Sequence, residues 1–234
     1  MSALERIEYN DGDTPLTGWL ARPVGSPRAA VVVFPTIANV TPAIERRARM
    51  LADAGYLALI ADFYGVPVDS FGASRPLADA LRSSVDGYRA RILAGLAAMQ
   101  DIVPDLPRAA IGYCMGGQAA LELARAGGDV ACVASFHGIL ETGRPATAAT
   151  PIAPRILVCH GDADPLVPRS QVVALWEEMD AAGADWHFHS YSGVKHGFTD
   201  PGSDARGMPA IGYNESADRQ SWSALMGFLA ETIG

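Results

Sequence analysis

Five short apolar runs punctuate the chain: AVVVF at 30–34, LALI at 57–60, AAIGY at 109–113, VACVA at 130–134 and RILVC at 155–159. Each is nearly continuous rather than alternating, the pattern of strands buried on both faces of a parallel sheet. Segments 4–9 and 14–21 alternate more and predict an antiparallel edge hairpin, and WHFHSY predicts a last strand. Between these runs the apolar spacing becomes helical. Thr41 and Pro42 suit an N-cap and a first-turn proline. After them Ile44, Ala48, Leu51 and Ala52 share a face, and Gly55 ends it. Further stripes are Val85, Tyr88, Ile92, Leu96 and Met99; Val172, Trp176 and Met179; and Trp222, Leu225, Met226, Leu229 and Ile233. Strands alternating with helices predict an α/β fold, a doubly wound sheet with right-handed crossovers. In such sheets the chemistry gathers at the carboxyl ends of the strands.

Segments 63–83, 138–154 and 197–215 show neither period and predict long loops, which in a compact domain cover or line a site. No internal repeat or low-complexity segment interrupts residues 1–234, so a single domain is expected. Hydrophobic residues make up 49 % of the chain and charged residues 19 %, which suits a buried core. The net charge of −8 argues against a nucleic-acid or anionic-membrane surface. No run reaches the roughly 18 apolar residues of a membrane span. The opening MSALERIEYNDGDT, with early acids and no apolar stretch, does not fit a secretory signal. Three cysteines without paired spacing do not form a disulfide framework, so a reducing, cytoplasmic setting is expected.

One of those cysteines stands apart. AAIGY leads into Cys114, and the helical MGGQAALELARA follows. Strand, Gly-x-Cys-x-Gly, helix is the arrangement of a nucleophile elbow, in which a strained residue on a sharp turn needs small neighbours. Gly112 and Gly116 are those neighbours. The helix N-terminus favours a thiolate, and the backbone N–H of Met115 points where an oxyanion would form. Cys132 and Cys159 lie inside apolar runs and are expected to pack in the core.

A thiol nucleophile needs a base, and the base an orienting acid. In this fold order both follow the nucleophile, on loops after later strands. Asp162 and Asp164 compete for the acid in HGDADPLVP; Asp164, ahead of Pro165, is favoured, with Asp162 capping the turn. His196 in GVKHGF occupies the loop after the last strand and is the expected base. His187 and His189 alternate along a strand, His160 closes one, and His137 ends another too early to be the base. No His or acid pair has metal-ligand spacing, and FPTIANVTP carries no phosphate-binding glycine pattern, so neither metal nor cofactor is expected.

At GYCMGG, HGDADPLVP and KHGF, and in ADAGYLALIADFYG, the chain resembles the dienelactone hydrolase family of α/β-hydrolases over about residues 14 to 232. The resemblance implies an α/β-hydrolase fold, a mostly parallel sheet of about eight strands flanked by helices. It also implies Cys114 as nucleophile, His196 as base, Asp164 as orienter and Ile37 as the second oxyanion donor. Where the best-known members carry a glutamate, this chain has Thr36, which cannot accept the thiol proton. Either the Cys114–His196 pair supplies the thiolate, or rate or selectivity differs. Family pockets hold acidic lactones with arginines, and Arg75, Arg82 and Arg206 fall in candidate pocket segments. Tyr64 and His137 follow strands at the catalytic edge and are candidate lining residues; Tyr213 falls in a stretch resembling the family's C-terminal region. The expected activity is hydrolysis of a small lactone or ester through a thioester acyl-enzyme, by a monomer or small homo-oligomer. A general small-acyl carboxylesterase or thioesterase is the near alternative, and a non-hydrolytic thiol or binding protein the distant one.

Overall fold

The computed structural model describes residues 4–234. The alternating segments at the start pair as β1 (Glu5–Asp11) and β2 (Thr14–Ala21), an antiparallel hairpin turning at Gly12. The continuous apolar runs become β3 (Ala29–Phe34), β4 (Tyr56–Ile60), β5 (Arg108–Tyr113), β6 (Cys132–Phe136) and β7 (Arg155–Gly161), and WHFHSY becomes β8 (Trp186–Tyr191). Residues of β3, β4 and β6 are buried throughout, because helices cover both faces. The sheet has eight strands in the order β1-β2-β4-β3-β5-β6-β7-β8. From β4 to β8 every neighbouring pair is parallel. The fold is that of an α/β-hydrolase.

The helices are α1 (Pro42–Asp53), α2 (Phe71–Arg82), α3 (Val85–Ile102), α4 (Met115–Arg125), α5 (Arg169–Ala181) and α6 (Glu215–Thr232). Thr41 caps α1 by accepting the Ile44 N–H at 3.4 Å, with Pro42 in the first turn. Ile44, Ala48, Leu51 and Ala52 are buried as their spacing predicts. One core layer joins Phe34, Leu57, Leu59, Tyr88, Ile92 and Met99 on one face of the sheet; the other joins Ile44, Leu51, Tyr56, Tyr113, Phe136 and Leu225.

The structure corrects the loop boundaries. Segment 63–83 contains α2, capped by Ser70, whose hydroxyl accepts the Ala73 N–H at 3.2 Å. Only Ser74 and Ala78 of α2 are buried, so its apolar stripe is too thin to read as a helix. Segment 197–215 contains a 3₁₀ turn at Asp204–Arg206, and the sixth strand lies two residues later than VACVA. Among the described residues no helix is long and apolar enough to cross a membrane.

Candidate active site

The turn from β5 to α4 places Cys114 at φ 58°, ψ −119°, in the sparsely populated region of a strained elbow. The glycines make this possible. A Cβ on Gly112 would overlap the backbone of Gly116, and one on Gly116 would overlap the carbonyls of Phe34 and Pro35. The helix therefore approaches β3 at backbone distance, bringing the loop after β3 over the elbow. The backbone N–H groups of Met115 and Ile37 act on the Cys114 sulfur and favour its charged form.

The same sulfur faces His196. Its ring Nδ1 lies 2.7 Å from Asp164 Oδ2, and its Nε2 makes no hydrogen bond among the described residues. The other carboxylate oxygen, Oδ1, accepts the Leu166 N–H at 2.9 Å, which fixes the acid in its turn. Asp162 instead pairs with Arg169 at 2.7 Å and makes no contact with His196. Both His196 and Asp164 are buried at 3 % exposure, so their interaction is little screened by solvent.

These contacts act on the titration of both groups. Burial pushes the Cys114 thiol up, but the charge of His196 and the N–H groups of Met115 and Ile37 outweigh it, and the thiol falls below its ordinary value. Burial pushes His196 down, but Cys114 and Asp164 lift it to about 10. The two shifts are coupled: each group favours the charged form of the other. Cys132 and Cys159 behave oppositely: burial raises them to about 11 and about 12.

A cavity of about 190 Å³ opens over the sulfur. Thr36, Ile37, Met115 and His137 line it near the elbow, and Phe71, Ile139, Leu166, Met208 and Ile211 give it an apolar wall. A model of the dienelactone hydrolase family matches residues 16–233. The chain belongs to the dienelactone hydrolase family. It is a hydrolase acting on esters or lactones. A dienelactone hydrolase-like promiscuous phosphotriesterase from metagenomic libraries superposes with a TM-score of 0.91 at 31 % identity, each chain covered to 99 %. A second solved protein, m3DLH, superposes at 0.90 with 34 % identity over the whole of both chains. A probable 2-oxo-3-(5-oxofuran-2-ylidene)propanoate lactonase from Bradyrhizobium is 26 % identical over 251 aligned positions, covering 97 % of this chain and 94 % of that one.

The pocket of this dienelactone hydrolase family member carries four arginines, and three are engaged. Arg82 pairs with Asp79 at 3.3 Å, Arg206 with Asp200, and Arg47 with Asp218. Arg75, exposed to solvent, has no carboxylate partner among the described residues. Thr36 turns the loop after β3: its hydroxyl accepts the Ala38 N–H at 3.3 Å and its carbonyl the Asn39 N–H at 2.9 Å. Tyr64 does not line the cavity. Its hydroxyl donates to the Ile37 carbonyl at 2.9 Å and touches Met115 Sδ at 3.6 Å. Tyr213 packs outside the cavity, with its hydroxyl 3.3 Å from Asp218. No cluster of three or more His, Cys, Asp or Glu side chains suited to a metal is found among the described residues.

Three neighbours of the site escape a reading of motifs. Tyr88, on α3, donates to the Met115 carbonyl at 3.0 Å, matching the Tyr64 contact on Ile37. Arg47 interrupts the apolar stripe between Ile44 and Ala48 yet is buried at 3 %. Asp218 shares the buried face of α6 with Ser221 and Leu225. A charge inside a buried stripe was the available signal.

Proposed function

We propose that Cys114, His196 and Asp164 form a catalytic triad that cleaves a small lactone or carboxylic ester through a thioester on Cys114. The observation that carries this reading is convergence on one sulfur: a strained elbow, two backbone N–H donors and a histidine whose far nitrogen is held by a carboxylate. The Cys114 thiolate attacks the carbonyl carbon, forming the C–S bond as the C=O π pair moves to oxygen. The N–H groups of Met115 and Ile37 take up that oxyanion; in the resting site they serve the thiolate. The tetrahedral species collapses with cleavage of the acyl C–O bond, and His196 gives its proton to the leaving oxygen. A lactone keeps that oxygen tethered to the acyl group.

Acylation also changes the base. Two of the influences that raise His196 come from Cys114, and a thioester sulfur carries no charge. His196 therefore titrates lower in the acyl-enzyme and can take a proton from water, which then hydrolyses the thioester. Thr36 has no part in this proton traffic. Asp164 holds the imidazole tautomer throughout and remains a carboxylate. The reaction calls for no cofactor, and the three free cysteines suit a reducing, cytoplasmic setting.

A second reading is a small-acyl esterase with no preference for an acidic substrate. It is favoured by the engaged state of Arg47, Arg82 and Arg206 and by the apolar wall. Intact-mass measurement during turnover tests the mechanism: a slowly deacylating ester adds one acyl mass to the protein and none to Cys114→Ala. Hydrolysis surviving in Cys114→Ala would sink the thioester. Relative kcat/KM for a carboxylate-bearing dienelactone and a neutral acyl ester decides between the two substrate classes.

A further inference from the structure

We propose that His137 is a positioning residue, whose neutral ring pins the Cys114 backbone in its strained conformation and ties it to the loop carrying His196. The inference rests on the thiol reading above, because Cys114 is the group positioned, but its test needs no ester turnover.

His137 follows β6 directly, at φ 39°, and is buried at 2 % exposure. Its Nδ1 accepts the Cys114 N–H at 3.1 Å, a donor also shared with the Phe136 carbonyl at 3.0 Å. Its Nε2 lies 2.9 Å from Thr199 Oγ1, on the loop three residues past His196. The ring edge meets the His196 ring at a centroid distance of 5.1 Å and Phe198 at 5.3 Å. One side chain thus touches the nucleophile's backbone, the base and the base's loop.

The chemistry of the ring fixes its state. Nδ1 can accept only without a proton, so the neutral ring carries its proton on Nε2 and donates it to Thr199. A protonated ring would turn its acceptor into a donor facing the Cys114 N–H, and would set a second cation against His196. Burial and the charges of His196, of Arg47 from α1 and of Arg206 from the loop after β8 oppose that and outweigh the residue's own backbone carbonyl, which favours the protonated ring, so the ring titrates well below the usual histidine range. The nearby carboxylates are committed elsewhere, Asp164 to His196 and Asp218 to Arg46 and Arg47. The far side of the contact is equally fixed. The Thr199 carbonyl accepts from Arg46 at 3.0 Å and Arg47 at 3.1 Å. A continuous path therefore runs from Asp218 through the arginines, Thr199 and His137 to the Cys114 N–H, setting the nucleophile and base at a fixed separation.

Two measurements test this. Long-range ¹H–¹⁵N NMR of the whole protein reads the tautomer: Nδ1 of His137 is expected unprotonated, with no titration across about pH 5 to 8. The pH dependence of Cys114 alkylation by iodoacetamide reads the sulfur in wild type, His137→Phe and His137→Asn. Phenylalanine keeps a ring without an acceptor; asparagine keeps an acceptor. We expect His137→Phe to react roughly tenfold more slowly near neutrality, with its profile displaced to higher pH, because a slackened elbow no longer holds the sulfur between its donors. His137→Asn should stay within about threefold of wild type. A purely structural role would lower the melting temperature and leave the alkylation profile in place. A protonated Nδ1, a ring that titrates normally, or a folded His137→Phe protein with the wild-type profile overturns the proposal. Should His137→Phe fail to fold, the tautomer and His137→Asn still decide it. Hydrolysis surviving in Cys114→Ala would overturn the triad alone and leave both readouts standing.

Discussion

Arg47 of α1 and Asp218 of α6 form a buried ion pair that also grips the loop beyond His196 through the Thr199 carbonyl. Arg46 joins the pair at 3.1 Å, the Tyr213 hydroxyl at 3.3 Å, and the Arg47 guanidinium stacks between the rings of Tyr113 and Trp222. Removing one member of such a pair strands the other in a low-dielectric site. Asp218→Ala should therefore lower stability by about 3–5 kcal/mol in chemical denaturation. The double variant Arg47→Met/Asp218→Leu should recover much of that, since neither charge is then left alone. Equal losses in the single and double variants would mean the packing, not the charge, matters.

The coupled titration of Cys114 and His196 predicts a bell-shaped pH dependence of kcat/KM. The thiol is lowered, so the thiolate is lost as pH falls through that depressed value. His196 is raised to about 10, so the proton needed by the leaving oxygen is lost as pH rises through it. The same raised value stabilises the fold below the unfolded histidine range, a contribution lost as pH climbs through about 10. Asp164→Asn takes away the carboxylate charge that helps hold His196 up, so the alkaline limb should move to lower pH. An unmoved alkaline limb in that variant would assign it to another group.

How much of this was legible in the sequence depends on what the sequence encodes locally. Period and glycine placement do so well: the continuous run at β3 and the glycines at 112 and 116 are answers to burial and to backbone contact. The order of Cys114, Asp164 and His196 along the chain put them on the loops after β5, β7 and β8, which the sheet brings to one edge. Contacts between elements far apart were not legible. Tyr88 meets the Met115 carbonyl across 27 positions, and Arg47 meets Asp218 across 171. No local pattern marks a hydroxyl that will find a carbonyl, or separates a buried arginine from a surface one. α2 was hidden for a related reason: its exposed faces carry no period.

The paired tyrosines predict a catalytic effect without substrate contact. The Tyr64 and Tyr88 hydroxyls hold the carbonyls of Ile37 and Met115, the residues whose N–H groups face the sulfur. A hydrogen bond of this kind contributes about 1 kcal/mol, so Tyr64→Phe and Tyr88→Phe should each reduce kcat by about fivefold with KM little changed. Their combination should exceed the sum if the two contacts hold one oxyanion site jointly. Steady-state kinetics on a single neutral ester reads this; a pure KM effect in either variant would place that tyrosine on the substrate instead.

Arg75 makes the substrate question concrete. Of the pocket arginines it is the one without a carboxylate partner among the described residues, and it is exposed to solvent. An anion held there would sit against a solvated guanidinium, an interaction of modest strength, so its loss should act on binding. Arg75→Ala is expected to raise KM for a carboxylate-bearing lactone by about tenfold, leave kcat within about twofold, and leave a neutral ester untouched. Arg75→Lys should restore only part of the loss, because a point charge replaces a bidentate fork. The neutral ester supplies the internal control: if its KM rose as much as that of the lactone, Arg75 would be shaping the mouth beside Phe71 and Leu166 and not reading charge.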